Sequence, residues 1–315
     1  MDLKKMIAEE AARLGFSAFG VAPAEYDPIG HNRLLRWLEK GYHADMKYME
    51  RATRKRFDPK IHLPGAKSVI ICGLNYYNKP DNDPARPYIS IYARGENYHV
   101  VMKDKLNLLC RRIVELAGEK TFKVFVDSSA FAEKSFAVKA GLGFIGRNGI
   151  LILNRNYGKS KGSFHFLGVI ITDLELVADA PCVGDCGTCR LCVDACPTEA
   201  IFSNGVINAA RCISYQTTQN KGDIPKEIAS AMGNIIFGCD ICQTVCPFNR
   251  KAIKTVESRL CHDLDSRAFD IEGLLKTTED EFHRRFGKSS IGELRYDLFK
   301  RNVSIAVENI RGHTK

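Results

Sequence analysis

Eight cysteines between Cys186 and Cys246 constrain this chain more than any other feature. The first group reads Cys186-Gly-Thr-Cys189-Arg-Leu-Cys192-Val-Asp-Ala-Cys196-Pro197. In that spacing three thiolates on one tight loop reach three irons of a cubane, and the fourth points away into a second cluster. The second group, Cys239-Asp-Ile-Cys242-Gln-Thr-Val-Cys246-Pro247, ends the same way, but Ile236 stands where its first cysteine belongs. Counting fills the gap. Two 4Fe–4S clusters need eight thiolates, the two motifs supply seven, and Cys212 lies between them. Exchanging the fourth cysteines puts one cluster on Cys186, Cys189, Cys192 and Cys246, and the other on Cys196, Cys212, Cys239 and Cys242. A zinc site has no use for the trailing Cys-Pro, and disulfides need an oxidising compartment that nothing else here indicates.

The 315 residues are 45% hydrophobic and 26% charged, an ordinary globular composition. The start reads as a charged amphipathic helix and not a signal peptide, and no apolar run approaches the roughly eighteen residues that cross a bilayer. A cytoplasmic protein with no membrane partner is expected. The net charge is +9, with Arg51, Arg54, Lys55, Arg56 and Lys60 in one run and Lys288, Arg295, Lys300, Arg301 and Arg311 towards the end. Clustered cations suit a polyanion, because neutralising phosphates releases condensed counterions.

Apolar periodicity predicts a helix over 2–14, a strand over 18–22 and a helix over 31–51. A strand buried on both faces follows at 69–74, then a loop over 75–87 and a helix over 100–117. The strand at 121–126 delivers Asp127 at its carboxyl end, where ligands lie in α/β sheets. A turn or helix-capping role for Asp127 is the competing reading. A short helix and strands at 150–153 and 164–172 complete the alternation. The expected architecture is an α/β sandwich over 1–175, a ferredoxin-like domain with two clusters over 176–250, and a helical segment over 251–315. Gly141-Leu-Gly143-Phe-Ile-Gly146 matches the dinucleotide fingerprint but follows a helix and precedes a strand, the reverse of what pyrophosphate binding needs. Its glycines are expected to let backbone approach a flat ligand or a neighbouring strand. Cys72 and Cys110 fall on core faces, and Cys182 and Cys261 have no partner at useful spacing.

Several segments together resemble the epoxyqueuosine reductase family over nearly the whole length. They are Tyr48-Met-Glu-Arg51, Lys55-Arg56-Phe-Asp-Pro59, Tyr92-Ala-Arg-Gly-Glu-Asn-Tyr98-His99 and Val126-Asp127. Ala140-Gly-Leu-Gly-Phe-Ile-Gly-Arg-Asn148, the cysteine run to Cys196-Pro197-Thr, Cys212-Ile-Ser-Tyr215 and Gly238-Cys-Asp-Ile-Cys242-Gln add to them. The resemblance implies a nitroreductase-like α+β domain that binds cobalamin, reduced by the nearer cluster. It implies reduction of epoxyqueuosine to queuosine at the wobble position of tRNA, with Asp127 donating the proton from a buried carboxyl of raised pKa. Arg56 and Asp240 are the further cobalamin contacts it offers. The expected partners are the tRNA anticodon stem-loop and an external low-potential electron donor, and the chain is expected to be a monomer. The chain departs from the family pattern at Ser128, at Asn97 where an aspartate is usual, and in lacking most of the C-terminal helical repeats. Two other readings are a corrinoid reductase of a small molecule, as in reductive dehalogenases, and an electron-transfer or corrinoid-reactivating protein. The basic clusters favour the tRNA enzyme, since a small-molecule enzyme has no need of them.

Overall fold

The computed structural model describes residues 2–79, 83–127, 130–153, 162–202, 205–261 and 270–313. Helix α1 (Leu3–Arg13) is capped by Asp2, whose carboxylate accepts the Lys4 N–H at 3.0 Å. Strand β1 (Ala18–Pro23) follows, then α2 (Pro28–Glu39), the one-turn α3 (Pro59–His62), β2 (Ser68–Asn75) and the two-residue β3 (Tyr88–Ile89). Helix α2 is shorter than its periodicity predicts. Gly41 and Ala44 take positive φ (65° and 51°), which a continuing helix cannot hold, so the chain leaves the helix there. Next come α4 (Tyr98–Ala117), β4 (Phe122–Phe125), α5 (Glu133–Lys139), β5 (Gly143–Ile145), β6 (Leu151–Leu153) and β7 (His165–Thr172). Asn97 caps α4, accepting the His99 N–H at 3.0 Å, so asparagine does the capping work of the usual aspartate.

Strands β1, β2, β7 and β4 form one sheet in that order, and every neighbouring pair is antiparallel. This corrects the warrant used for Asp127, since the rule about strand ends belongs to parallel sheets. The sandwich itself is as expected. Ile70, Cys72 and Leu74 of β2 face a core built with α1 and α4, while Val69 and Ile71 face one built with α5 and the β5–β6 hairpin. That alternation is the period-two signature of a strand covered on both sides. Each fully buried aliphatic side chain in these layers contributes about 1.5–3 kcal/mol. The glycine-rich turn serves backbone approach, as anticipated: a Cβ on Gly143 would lie 2.0 Å from the Ile152 carbonyl oxygen on the paired strand.

The cluster region contributes α6 (Leu191–Asp194), α7 (Ile213–Thr218), α8 (Lys226–Ala231), β8 (Ile235–Phe237) and α9 (Ile241–Thr244). After it come α10 (Ile271–Lys276), α11 (Glu279–Phe286) and α12 (Tyr296–His313). Ile236, in the place of the missing cysteine, is a core residue of β8 with no exposed surface. Elements on either side of the boundaries expected at 175 and 250 pack together. Strand β8 pairs in parallel with β3, and one core joins Ile89 and Ala93 to Ile236 and Phe237 and to Phe299, Val303 and Ala306 of α12.

Candidate redox centre and proton-donor site

The two cysteine motifs fold alike. In each, a loop carries the first thiols, a single helical turn (α6 or α9) carries the next, and a Cys-Pro step ends the unit. Cys186, Cys189, Cys192 and Cys246 line one small cavity closed by Arg147, Asn148, Pro247 and Phe248. This is the first set obtained by counting. The second set also comes together. Burial pushes the Cys239 thiol up to about 12, and the neighbouring Cys212, Asp240 and Cys196 add to it. Burial likewise raises Cys212, with Cys196 adding to it, and raises Cys242, with Cys239 and Cys212 adding.

Crowded buried thiols of this kind are costly to ionise alone, and binding iron relieves that cost by exchanging their protons for metal charge. Backbone donors are already aimed at sulfur, with the Arg147 N–H 3.4 Å from Cys186 Sγ and the Ala200 N–H 3.3 Å from Cys196 Sγ. Such bonds to cluster sulfurs help to set reduction potential. The donor set therefore fits two 4Fe–4S clusters. Anaerobically isolated protein should hold close to eight irons and eight sulfides, and Cys212→Ser should disturb one cluster only. Four irons in the parent protein, or eight unchanged in the variant, would refute the assignment.

Asp127 follows β4 with φ +49°, an uncommon conformation for a residue other than glycine. Its carboxylate accepts a hydrogen bond from the Tyr98 hydroxyl at 2.5 Å. The Tyr98 ring is fixed from both sides, stacked on Phe166 (centroids 4.2 Å apart, 5° between planes) and on His99 (4.2 Å). His99 Nδ1 lies 3.2 Å from the Val126 carbonyl oxygen and so ties this ring stack to the end of β4. The capping reading is not met for the following helix, since the N-cap of α5 is Ala132. One expectation needs correcting. Asp127 is exposed and not buried, so the protein alone does not desolvate it.

Around Asp127 stand groups that answer to its charge. Burial, then Asp127, pushes the Glu133 carboxyl up to about 7, and its Oε1 is buried without a hydrogen-bond partner among the described residues. Desolvation and Asp127 also raise the Tyr48 phenol, while Arg56 lowers it. Arg56 donates to the Tyr48 carbonyl at 3.0 Å, and its own carbonyl accepts the Ala132 N–H at 2.8 Å, so it pins this turn to the start of α5. Its Nε is buried with no partner among the described residues. Unmatched polar atoms such as these suit an amide-rimmed ligand like a corrinoid.

Asp240 is placed differently from the resemblance's suggestion. It is 2% exposed, and its two oxygens accept from the Tyr88 hydroxyl (2.9 Å), the Ser90 hydroxyl (2.8 Å) and the Ile91 N–H (2.8 Å). With its acceptors engaged inside the protein, its side chain is a strut fastening the Cys239 loop to β3. Above it Tyr92 reaches towards both sites. Burial raises its phenol, then Asp240 and then Asp127, and its ring meets Tyr98 edge-on at 6.2 Å. Tyr48 and Tyr92 were not anticipated as site residues, although each lies in a segment quoted for the resemblance. A cavity of about 970 Å³ lies between α1 and residues 253–257 and includes neither Asp127 nor a cluster thiol.

Residues 185–249 match the family described as a 4Fe–4S double cluster binding domain, and residues 56–128 match that described as epoxyqueuosine reductase QueG. An epoxyqueuosine reductase of Cyclobacterium marinum is 41% identical over 305 residues, covering 95% of each chain. The chain belongs to the epoxyqueuosine reductase family. A crystal structure of an epoxyqueuosine reductase with an epoxyqueuosine-modified stem loop of tyrosine tRNA superposes with a TM-score of 0.89 at 30% identity, covering 99% of this chain and 82% of the other. The epoxyqueuosine reductase of Bacillus subtilis, solved with the catalytic loop of its aspartate swung out of the active site, gives 0.88 at 29% identity, with coverage of 99% and 82%.

Proposed function

We propose that this epoxyqueuosine reductase family member reduces epoxyqueuosine to queuosine at the wobble position of tRNA. The observation that supports the reading is that one chain carries both a Tyr98-bonded Asp127 and a two-cluster cysteine set. Opening the epoxide to an alkene consumes two electrons and two protons and releases one water. Cobalamin, when bound, supplies a cobalt that takes up single electrons and delivers them to the substrate. Arg56 and Glu133, whose buried polar atoms are unmatched among the described residues, would hold it.

The role of the aspartate in the Bacillus subtilis enzyme is carried to Asp127. Protonated, it gives its proton to the epoxide oxygen, which leaves only as it gains one. Tyr98 donates to the carboxylate that remains and keeps it oriented. Asp127 is exposed in the protein alone, and bound cofactor and tRNA would exclude water from it. An external low-potential donor feeds the clusters, and the protein acts in the cytoplasm as a monomer. Among the described residues no helix is long and apolar enough to cross a membrane. Nucleoside mass spectrometry of tRNA from cells lacking the protein tests the reading: epoxyqueuosine should accumulate, and normal queuosine would overturn it.

The tRNA footprint on this chain is narrower than its charge suggests. Arg51, Lys55 and Lys60 are exposed and make no ion pair among the described residues, whereas Arg54 packs on Tyr26 and lies 3.6 Å from Asp58. Most of the C-terminal cations are spent internally. Arg295 pairs with Asp297 and Arg311 with Glu272, Lys300 donates to the Leu275 carbonyl, and Arg301 donates to the Gln216 and Asn220 carbonyls at 2.9 and 3.1 Å. Neutralising Lys55 or Lys60 should flatten the log–log salt dependence of tRNA affinity by about one unit. Neutralising Lys300 should leave that slope alone, and equal slopes for all three variants would contradict this division.

A further inference from the structure

The two clusters differ in what surrounds them. Residues beside the Cys196 set, including Ile213, Gly238, Asp240 and Gln243, are buried. Residues beside the Cys186 set, including Gly187, Thr188, Arg190 and Leu191, are exposed. A Cβ on Gly238, next to Cys239, would lie 2.9 Å from the Tyr92 ring, which meets Tyr98, the donor to Asp127, whereas the loops of the Cys186 set face outward. Helix α6, which carries Cys192, packs on α9, which carries Cys242, so the two sets are neighbours. Electrons entering at the surface therefore meet the Cys186 cluster first.

The skin over that cluster is unusual for a water-facing surface. Leu191 is 43% exposed, Phe248 38% and Val183 98%. Val183 and Phe248 meet at Phe144, and Leu191 stands beside the ligand Cys192. Phe248 lines the cavity of the four thiols, its ring meets Phe144 at 5.5 Å, and the Val183–Gly184 turn lies on Phe144, which a Cβ on Gly184 would strike at 2.7 Å. Exposed Arg190, Arg250 and Lys251 stand in the same loops. Against them are Asp185, bonded to the Gly187 N–H, and Asp194, 3.5 Å from Arg190. Arg250 and Lys251 have no ion-pair partner among the described residues. An apolar centre with a cationic margin over a redox group fits a protein that is acidic around its own redox group.

We infer that this face receives a small acidic one-electron carrier protein. This inference deepens the proposed reading, since it rests on the chain being a reductase fed from outside. Each docking event oxidises the carrier's reduced centre by one electron and reduces the Cys186 cluster by one. Two events supply the pair that epoxide opening consumes. A tRNA backbone would also seek cations, but it has no use for three exposed apolar side chains over a cluster.

The test mixes the cluster-loaded protein anaerobically with a reduced, acidic plant-type 2Fe–2S ferredoxin and follows bleaching of the 4Fe–4S absorbance by stopped flow. The parent rate should fall steeply with ionic strength. Arg250→Glu with Lys251→Glu should slow the bleaching about tenfold or more and flatten its salt dependence. Photoreduction by a neutral deazaflavin should stay within about twofold, showing intact clusters. Lys103→Glu with Arg111→Glu, on the exposed side of α4 across the sheet from the hairpin that holds Phe144, makes the same net charge change and should have little effect. The inference is overturned if ferredoxin fails to reduce the parent protein, if the two double variants slow equally, or if the patch variant loses tRNA affinity while keeping its ferredoxin rate. Because the bleaching rate involves neither tRNA nor turnover, it and the nucleoside analysis can fail independently.

Discussion

Asp127→Asn is expected to keep both clusters and lose turnover by a factor of about 10² to 10⁴, the usual contribution of a positioned general acid. The amide is close in size to the carboxyl, and asparagine adopts the left-handed conformation at φ +49° at least as readily as aspartate. Tyr98 keeps an oxygen to donate to. Folding should therefore be unaffected, and the loss should sit in the chemical step. Single-turnover assays of pre-reduced protein with epoxyqueuosine-containing tRNA would measure it. Activity within a few-fold of the parent would end the claim for Asp127 and direct attention to Glu133, Tyr98 and His99, which share its site.

Arg301→Met should cost stability, with no change in the salt dependence of tRNA binding. The guanidinium spans carbonyls of Gln216, Asn220 and Gly222, and so fastens α12 to the segment that follows Cys212. Removing it strands several acceptors of partly buried backbone, at about 2–3 kcal/mol and roughly 5 °C in unfolding temperature. Thermal unfolding of the cluster-loaded variant, scanned at the parent's rate, checks this. An unchanged midpoint with weakened tRNA affinity would return Arg301 to the phosphate contacts.

Arg301 also shows where sequence reasoning stops. A run of cations is visible in sequence, but whether each faces solvent or a carbonyl is a property of packing. Local patterns were far more legible. The apolar stripe and the Gly118 stop predict α4, and the all-apolar run predicts β2 as a strand covered on both faces. The cluster ligands were legible because spacing on one loop is itself the geometry. Strand order was not, since periodicity marks a strand without saying which way its neighbour runs, and the antiparallel sheet came as a correction. Asp240 illustrates a subtler limit. Its position beside Cys239 suggests ligand chemistry, yet three donors from residues 88–91 claim it. Tyr48 and Tyr92 owe their places near Asp127 to chain segments far from it in sequence. Only the resemblance marked those segments.

The pairing of β3 with β8 bears on how this enzyme is made. Tyr88 and Ile89 emerge from the ribosome well before their partners Ile235 and Phe237, and α12, which covers β8, is synthesised later still. Until it arrives, the strand next to Gly238 and Cys239 has one face uncovered, and the second cysteine loop lacks its buttress. Iron delivered to a nascent chain would meet the first loop correctly spaced and the second still unsupported. Stable loading of the second cluster is therefore expected to wait for α12, and a truncation that removes α12 should yield iron-poor protein although every cysteine ligand is still encoded.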